Sequence, residues 1–261
     1  MTKQTNMTPL LIDEETIPKG YAQIIRHICN NAGGTISPLI LSIANDGADE
    51  MIGTNSTIQV ALDSVLGARG ESDVETVAFT IFPDAFYKVA SDRDELFTDY
   101  RDAFPRLQAL NHRNKRGLYF ERLTMWPGGP CDGNQLEWII QQYTSRPSVR
   151  ASMFQASVFN PGVDHTGSAQ LGFPCLQHVS FVPTAEELVV NAFYATQQLL
   201  FKAYGNYLGL IRLGDFMASE MGLKFARLNV TVGVAKLEGI GKTTPEFKPV
   251  LTACDAILNA P

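Results

Sequence analysis

Several classes of protein are excluded by what this 261-residue chain lacks. Its four cysteines, Cys29, Cys131, Cys175 and Cys254, form no CxxC pair and have no metal-like spacing, so neither a zinc ribbon nor a disulfide-stapled scaffold is expected. The four histidines, His27, His112, His165 and His178, are equally scattered, and no HExxH pair occurs; no metal site is expected. Basic residues are too few and too dispersed for a nucleic-acid footprint: 21 Lys and Arg stand against 27 Asp and Glu, a net charge of −6. The densest basic run, 113-RNKR-116, reads as a solvated turn. Apolar runs break well short of the roughly 20 residues that span a bilayer. The opening 1-MTKQTNMTPLLIDEE-15 turns acidic with no charged-then-apolar leader. A cytoplasmic protein with no membrane or nucleic-acid partner is the expectation. There is no internal repeat and no low-complexity tract.

What is present is a globular pattern, with 45% hydrophobic residues, enough for a sizeable core. Residues 1–18 read as an N-terminal arm and 19–261 as one domain. From Gly20 the spacing of Ile24, Ile25 and Ile28 predicts a helix. The run 38–44 reads as a strand, 45–57 as a loop, and 58–68 and 73–82 as apolar elements, with 74–82 open between helix and strand. A charged helix is predicted over 91–110 with Ser91 or Asp92 as N-cap. A turn cluster at 127–134 precedes an amphipathic helix over 135–145, ended by Pro147. Alternation marks strands at 150–158, 175–182, 187–194 and 225–238. A helix over 204–222 ends at Gly222. Helices and strands mix without a βαβ rhythm, which predicts an α+β fold built on a mixed or antiparallel-rich sheet. The Gly- and Pro-rich stretches at 127–133 and 159–173 read as long loops, a common place for function.

In 171-LGFPCLQHVSFVP-183, a cysteine follows a proline in an apolar run. Cys175 is either a buried strand hydrophobe or a nucleophile at the floor of a pocket. The surrounding segments bear on the choice. The stretches 75-ETVAFT-80, 117-GLYFERLTMW-126 with 134-NQLEWII-140, 147-PSVRASMFQAS-157, and 173-FPCLQHVSFV-182 with residues 187–223 occur in one order. Together, over roughly residues 70–237, they resemble the thymidylate synthase family, which includes the pyrimidine hydroxymethylases. No gap is needed between Cys175 and Asn206.

The resemblance implies a thymidylate synthase-like mixed sheet layered with helices and a homodimer. It also implies transfer of a methyl or hydroxymethyl unit to C5 of a uracil-type nucleotide or nucleoside, with 5,10-methylenetetrahydrofolate as donor. Cys175 matches the nucleophile that attacks C6. Glu75 matches the proton-network glutamate, and Tyr119 the tyrosine beside the nucleophile. Asn206 matches the asparagine that reads the ring edge with one donor and one acceptor; a helix cap is its other reading. Arg150 matches the first of two arginines that cross the dimer, the second being Ala151. Thr196 and Gln198 stand at the family's serine and aspartate. Other positions depart. The histidine after the nucleophile is Leu176, and His178 is placed by alternation on the face of Leu176. The arginine beside the cysteine is Ala195. With phosphate arginines missing, Lys202, Arg212 and Lys236 are the candidate replacements. A relative that has lost turnover and binds a nucleotide or a partner protein is the alternative reading.

Overall fold

Alternating apolar residues in three long strands organise the fold. The structure, a computed structural model, describes residues 8–53, 57–146, 149–167 and 173–260. The start of the arm, the helix-ending Pro147 and part of the loop before Cys175 lie outside the described residues. The first half of the chain comprises β1 (Leu10–Glu14), α1 (Ile17–Asn30), β2 (Thr35–Ile36), β3 (Leu39–Ala44), α2 (Ala48–Ile52), α3 (Thr57–Ala68), α4 (Val74–Phe79), α5 (Asp84–Tyr87), α6 (Arg93–Leu110) and α7 (Tyr119–Thr124). There follow α8 (Gln135–Ser145), β4 (Gln155–Ser157), α9 (Pro161–Asp164), β5 (Leu176–Pro183), β6 (Glu187–Gln198), α10 (Tyr204–Glu220), β7 (Lys224–Lys236) and α11 (Lys248–Leu258).

The strands form one seven-stranded sheet in the order β1-β3-β7-β6-β5-β4, with β2 also on β7. β1–β3 and β6–β7 are parallel and the remaining pairs antiparallel, so the expected mixed α+β architecture is the one observed. The stretch read as an arm enters the sheet from Leu10 onward, and Ile12 belongs to the same core as Cys254 of α11. Among the described residues no helix is long and apolar enough to cross a membrane.

Helices cover one face of the sheet. Thr16 caps α1 by accepting from Lys19 N, and Ile17, Tyr21, Ile24, Ile25 and Ile28 turn inward. α6 starts after Asp92, whose carboxylate accepts from Glu95 N, as its sequence predicts. α10 is buried on nearly every side, since it lies between the sheet and α4. Its glycines permit this approach: a Cβ on Gly205 would fall 2.6 Å from Val74 O, and one on Gly209 would fall 2.7 Å from Ala78 O. Two sequence expectations change here. The 45–57 loop contains α2, and the 150–158 strand shrinks to β4 behind a 3₁₀ turn at Ala151–Met153. A five-residue π-turn, Leu199–Ala203, runs directly into α10.

The pleat of the sheet is interrupted around one row. Leu176, Tyr194, Val232 and Leu39 are cross-strand partners, all buried. In β5 the next buried residue is Val179, because a bulge inserts Gln177. His178 therefore leaves the face of Leu176, against the expectation from strict alternation, and bonds Gln155 Oε1 at 2.7 Å. In β6 burial jumps from Tyr194 to Gln197, and in β7 from Val232 to Ala235. Gly233 sits at this step, where a Cβ would lie 2.8 Å from Ala195 O.

Gly209→Ala tests the α4–α10 contact. Alanine favours an exposed helix by about 1 kcal/mol, but here the clash is with backbone. The expected outcome in urea unfolding is a net loss of about 1–2 kcal/mol. Gly67→Ala in α3, where nothing lies within 4 Å of the added methyl, should instead stabilise by about 0.5–1 kcal/mol.

Candidate active site

The sheet interruption opens a cavity of about 690 Å³ on the helix side, large enough for a nucleotide-sized ligand. Its floor is Cys175, just before β5. The backbone there is held from three directions. Cys175 O accepts from Ala195 N at 3.0 Å and from Gln177 Nε2 at 3.2 Å, and Cys175 N donates to Tyr119 Oη at 3.4 Å. The sulfur, half-buried and facing the cavity, lies 3.7 Å from the Thr196 hydroxyl. Burial, and then the neighbouring Cys175, push the Tyr119 phenol well above its ordinary range, so it stays protonated. The other three thiols, Cys29, Cys131 and Cys254, are all pushed up by burial, Cys254 to about 12, which makes them poor nucleophiles at neutral pH.

The segment leading to Cys175 is braced by a buried ion pair. Arg122 on α7 holds Asp164 through two nitrogens, at 3.1 and 3.0 Å, and its guanidinium lies 5.2 Å from the centre of the Phe173 ring. Phe173 packs on Tyr119, with ring centres 5.1 Å apart. Nothing in the sequence reading singled out Arg122 or Asp164; an arginine 42 residues from its carboxylate leaves no local pattern.

The second wall is the start of α10. Asn206 is 3% exposed, lines the cavity, and has no side-chain hydrogen-bond partner among the described residues. The π-turn ahead of it places Asn206 inside a continuous helix, which removes the capping reading. Next to it, Tyr207 Oη donates to Gln197 Oε1 at 2.6 Å and ties α10 to β6. Lys202, on the π-turn, is half-buried in the same wall with no carboxylate within ion-pair distance among the described residues. Burial pulls its pKa down, Arg113 adds to the effect, and Glu71 and Cys175 oppose it. Its charge is thus kept at a cost to folding.

The third wall is the 3₁₀ segment His112–Arg116, the run read as a solvated turn. His112, Arg113, Lys115 and Arg116 are exposed, in line with that reading, and the turn is also fastened. Asn111 Oδ1 accepts from Arg113 N, Asn114 Nδ2 donates to Leu107 O, Gln108 Nε2 donates to Lys115 O, and Arg122 Nη2 donates to Arg116 O. Arg113 is paired with Glu71, and Lys236 with Glu238, which also accepts from Gln198 Nε2 at 3.3 Å.

Five of the residues singled out in the sequence therefore converge on one cavity: Cys175, Tyr119, Thr196, Gln198 and Asn206. Glu75 and Arg150 are not among its lining residues. Glu75 is exposed on α4 and bonded by Arg212 at 2.6 and 3.1 Å, which also occupies Arg212. Arg150 is exposed ahead of the 3₁₀ turn at Ala151–Met153. Lys202 and Lys236 do reach the cavity.

No family model matches the chain. A curated protein of Methanocaldococcus jannaschii named "Putative thymidylate synthase" is 28% identical over 109 residues, 41% of this chain and 48% of that protein. The chain thus matches about half the length of this relative, and the similarity supports a thymidylate synthase-like relationship.

Two outcomes are expected. Asp164→Ala strands the Arg122 guanidinium and should cost about 3–5 kcal/mol of stability, measured by denaturant unfolding. Lys202→Met should stabilise the fold at neutral pH. A lysine whose folded pKa lies below its unfolded value binds fewer protons when folded, so the penalty it imposes fades as pH rises towards about 10.4. The gain from Lys202→Met should shrink over that same window, as read from melting temperatures across pH.

Proposed function

We propose that the chain is a thymidylate synthase-like transferase that adds a one-carbon unit to C5 of a uracil-type ring through a cysteine adduct at C6. The convergence of a cavity-facing thiol with the side-chain amide of Asn206 on one open cavity carries this reading. An amide that opens into a cavity with no side-chain partner can bond a ligand there. Asn206 offers one donor and one acceptor, the complement of the adjacent N3–H and O4 of uracil.

Cys175 attacks C6, forming the carbon–sulfur bond. The ring electrons move towards C5 and the C4 carbonyl, where the Asn206 amide donates to the developing enolate oxygen. Thr196 donates towards the sulfur, and Tyr119 holds the Cys175 backbone as a neutral donor–acceptor. Once C5 has gained its substituent, its proton passes to solvent water in the open cavity, and the electron pair left behind re-forms the ring double bond as the carbon–sulfur bond breaks and Cys175 departs as thiolate. Phe173 and Phe201 provide flat apolar surface, and the cavity's cations suit glutamyl carboxylates, so the residues present fit 5,10-methylenetetrahydrofolate, which would supply the one-carbon unit. Glu75, bonded to Arg212, takes no step in this scheme; the carboxylates that line the cavity are Glu71 and Glu238.

The uncovered face of the sheet supports assembly as a homodimer. Phe193 on β6 is 43% exposed and Leu11 on β1 is 68% exposed. In such a dimer Arg150 would act at the partner's cavity, and light scattering that reports a monomer sinks that role. A second reading, a binding protein without turnover, is favoured by the displacement of Glu75 and by Ala195 at the position of the expected arginine.

Release of tritium from C5-labelled uracil compounds separates the two readings. The transferase reading expects release that is abolished in Cys175→Ser with the fold intact; no release from base, nucleosides or monophosphates, with or without methylenetetrahydrofolate, leaves the binding reading. Asn206→Asp, which exchanges a donor for an acceptor, should raise the cytosine-to-uracil affinity ratio at least about tenfold.

A further inference from the structure

The extra residue in the β5 bulge, Gln177, lies two positions after Cys175 and spends its hydrogen bonds on the chain that carries the thiol. Its Nε2 donates to Pro174 O at 2.8 Å and to Cys175 O at 3.2 Å. Its own carbonyl accepts from Val158 N at 2.9 Å and from Phe159 N at 3.1 Å. One residue therefore holds both ends of the connection from β4 to β5, the Gly- and Pro-rich stretch that delivers Pro174 and Cys175. We infer that Gln177 is a positioning residue, whose side-chain amide aims the Cys175 sulfur into the cavity for attack on the ring. This role rests on the transferase reading above, and Gln177 itself is not among the residues lining the cavity.

Three observations support the role. The first is where the amide bonds. Peptide units are planar, so the direction of a side chain follows from the two planes that meet at its Cα. Pro174 O belongs to the plane before Cys175 and Cys175 O to the plane after it, and Gln177 Nε2 bonds both. The second is how the thiol's backbone is otherwise held. Ala195 N bonds Cys175 O at 3.0 Å, but this reaches the later plane alone. The earlier plane has besides a long bond, Cys175 N to Tyr119 Oη at 3.4 Å. The third is that the staple closes a circuit. Val158, which donates to Gln177 O, accepts at its own carbonyl from Arg122 Nη1 at 3.4 Å, and the Arg122 guanidinium lies against Phe173, two residues before the thiol.

A bulge glutamine that served the strand alone could turn its amide to solvent, since Gln177 is half-buried. Its amide is turned instead onto the two carbonyls that flank the nucleophile. Aim matters for this chemistry. The carbon–sulfur bond forms only from a near-attack pose, with the reacting atoms about 3–3.5 Å apart, and a displacement of about 1 Å costs about 100-fold in rate. The Thr196 hydroxyl, 3.7 Å from the sulfur, also reaches it only while the thiol keeps its direction.

The test compares Gln177→Ala and Gln177→Glu with the parent chain. Tritium release is measured from C5-labelled uracil, deoxyuridine, uridine and both monophosphates, each with methylenetetrahydrofolate. Alkylation of each cysteine by iodoacetamide is followed by mass mapping. In Gln177→Ala, kcat for release should fall about 10–100-fold while KM stays within about twofold. Cys175 should be alkylated no more slowly than in the parent, and Cys254 should stay unreactive, which reports an intact core. In Gln177→Glu, an ionised carboxylate would face two carbonyl oxygens. That placement raises its pKa above the usual carboxylate range, and the protonated form regains a donor. Its kcat relative to the parent should therefore rise at least about fivefold as pH falls from about 8 to about 5. Unchanged kcat and KM in Gln177→Ala overturn the role and leave the transferase reading intact. So does a matching loss of alkylation and release, since the thiol's reactivity and not its aim would then have changed. If Cys254 becomes reactive in Gln177→Ala, the Gln177→Glu ratio decides, and a ratio flat across pH overturns the role. No release by the parent from any of these compounds overturns both the role and the transferase reading.

Discussion

Everything at the cavity depends on the sheet's change of pleat around the row Leu176–Tyr194–Val232. A strand that kept strict alternation would carry its apolar face onward under the helices and leave no room above its end. Instead, burial skips a residue in β5, β6 and β7, each near this row. The end of β6 then presents Thr196, Gln197 and Gln198 to the cavity, with Cys175 alongside, just ahead of the neighbouring strand β5. The close contact of Gly233 with Ala195 O is part of the same constraint, since it keeps two strands together where their pleat changes.

α10 transmits that geometry to the other wall. It is pressed against α4 through two glycines and tied to β6 through the Tyr207–Gln197 hydrogen bond. Asn206 sits between those two attachments. Its amide is therefore positioned by packing on one side and by a buried hydrogen bond on the other, while its own polar atoms remain unspent.

The sequence was informative wherever a local signal sufficed. Asp92 as a cap, Gly222 at φ +67 after α10, the apolar stripe of α1, and the alternation of β7 all produce the elements they suggest. It was silent where the deciding event was non-local. A bulge is defined by what the partner strand does, so strict alternation misplaced His178. Leu10–Glu14 becomes a strand only because β3 offers an edge, and the π-turn that carries Lys202 has no period of its own. The basic run 113–116 is exposed, as its sequence suggests, but its place at the cavity was hidden, because the hydrogen bonds that fasten it involve Leu107, Gln108, Asn111 and Arg122, which no short window relates to a cavity. Of the site residues, Cys175, Thr196, Gln198 and Asn206 converge from one stretch of sequence and Tyr119 joins them from 56 residues upstream, whereas Glu75 and Arg150 stand apart.

The cavity's two ends are under different mechanical control. Groups around Cys175 and Asn206 belong to the sheet and to a helix buried on nearly all sides, so altering them disturbs the core that keeps the chain folded. The cations at the other end sit on a short turn fastened by its own side-chain hydrogen bonds and exposed to solvent. Changes there touch little else. A lineage built on this scaffold could therefore exchange the appendage its ligand carries in a few substitutions while the ring-facing end stays nearly fixed; diversification would run along one end of the cavity and stall at the other.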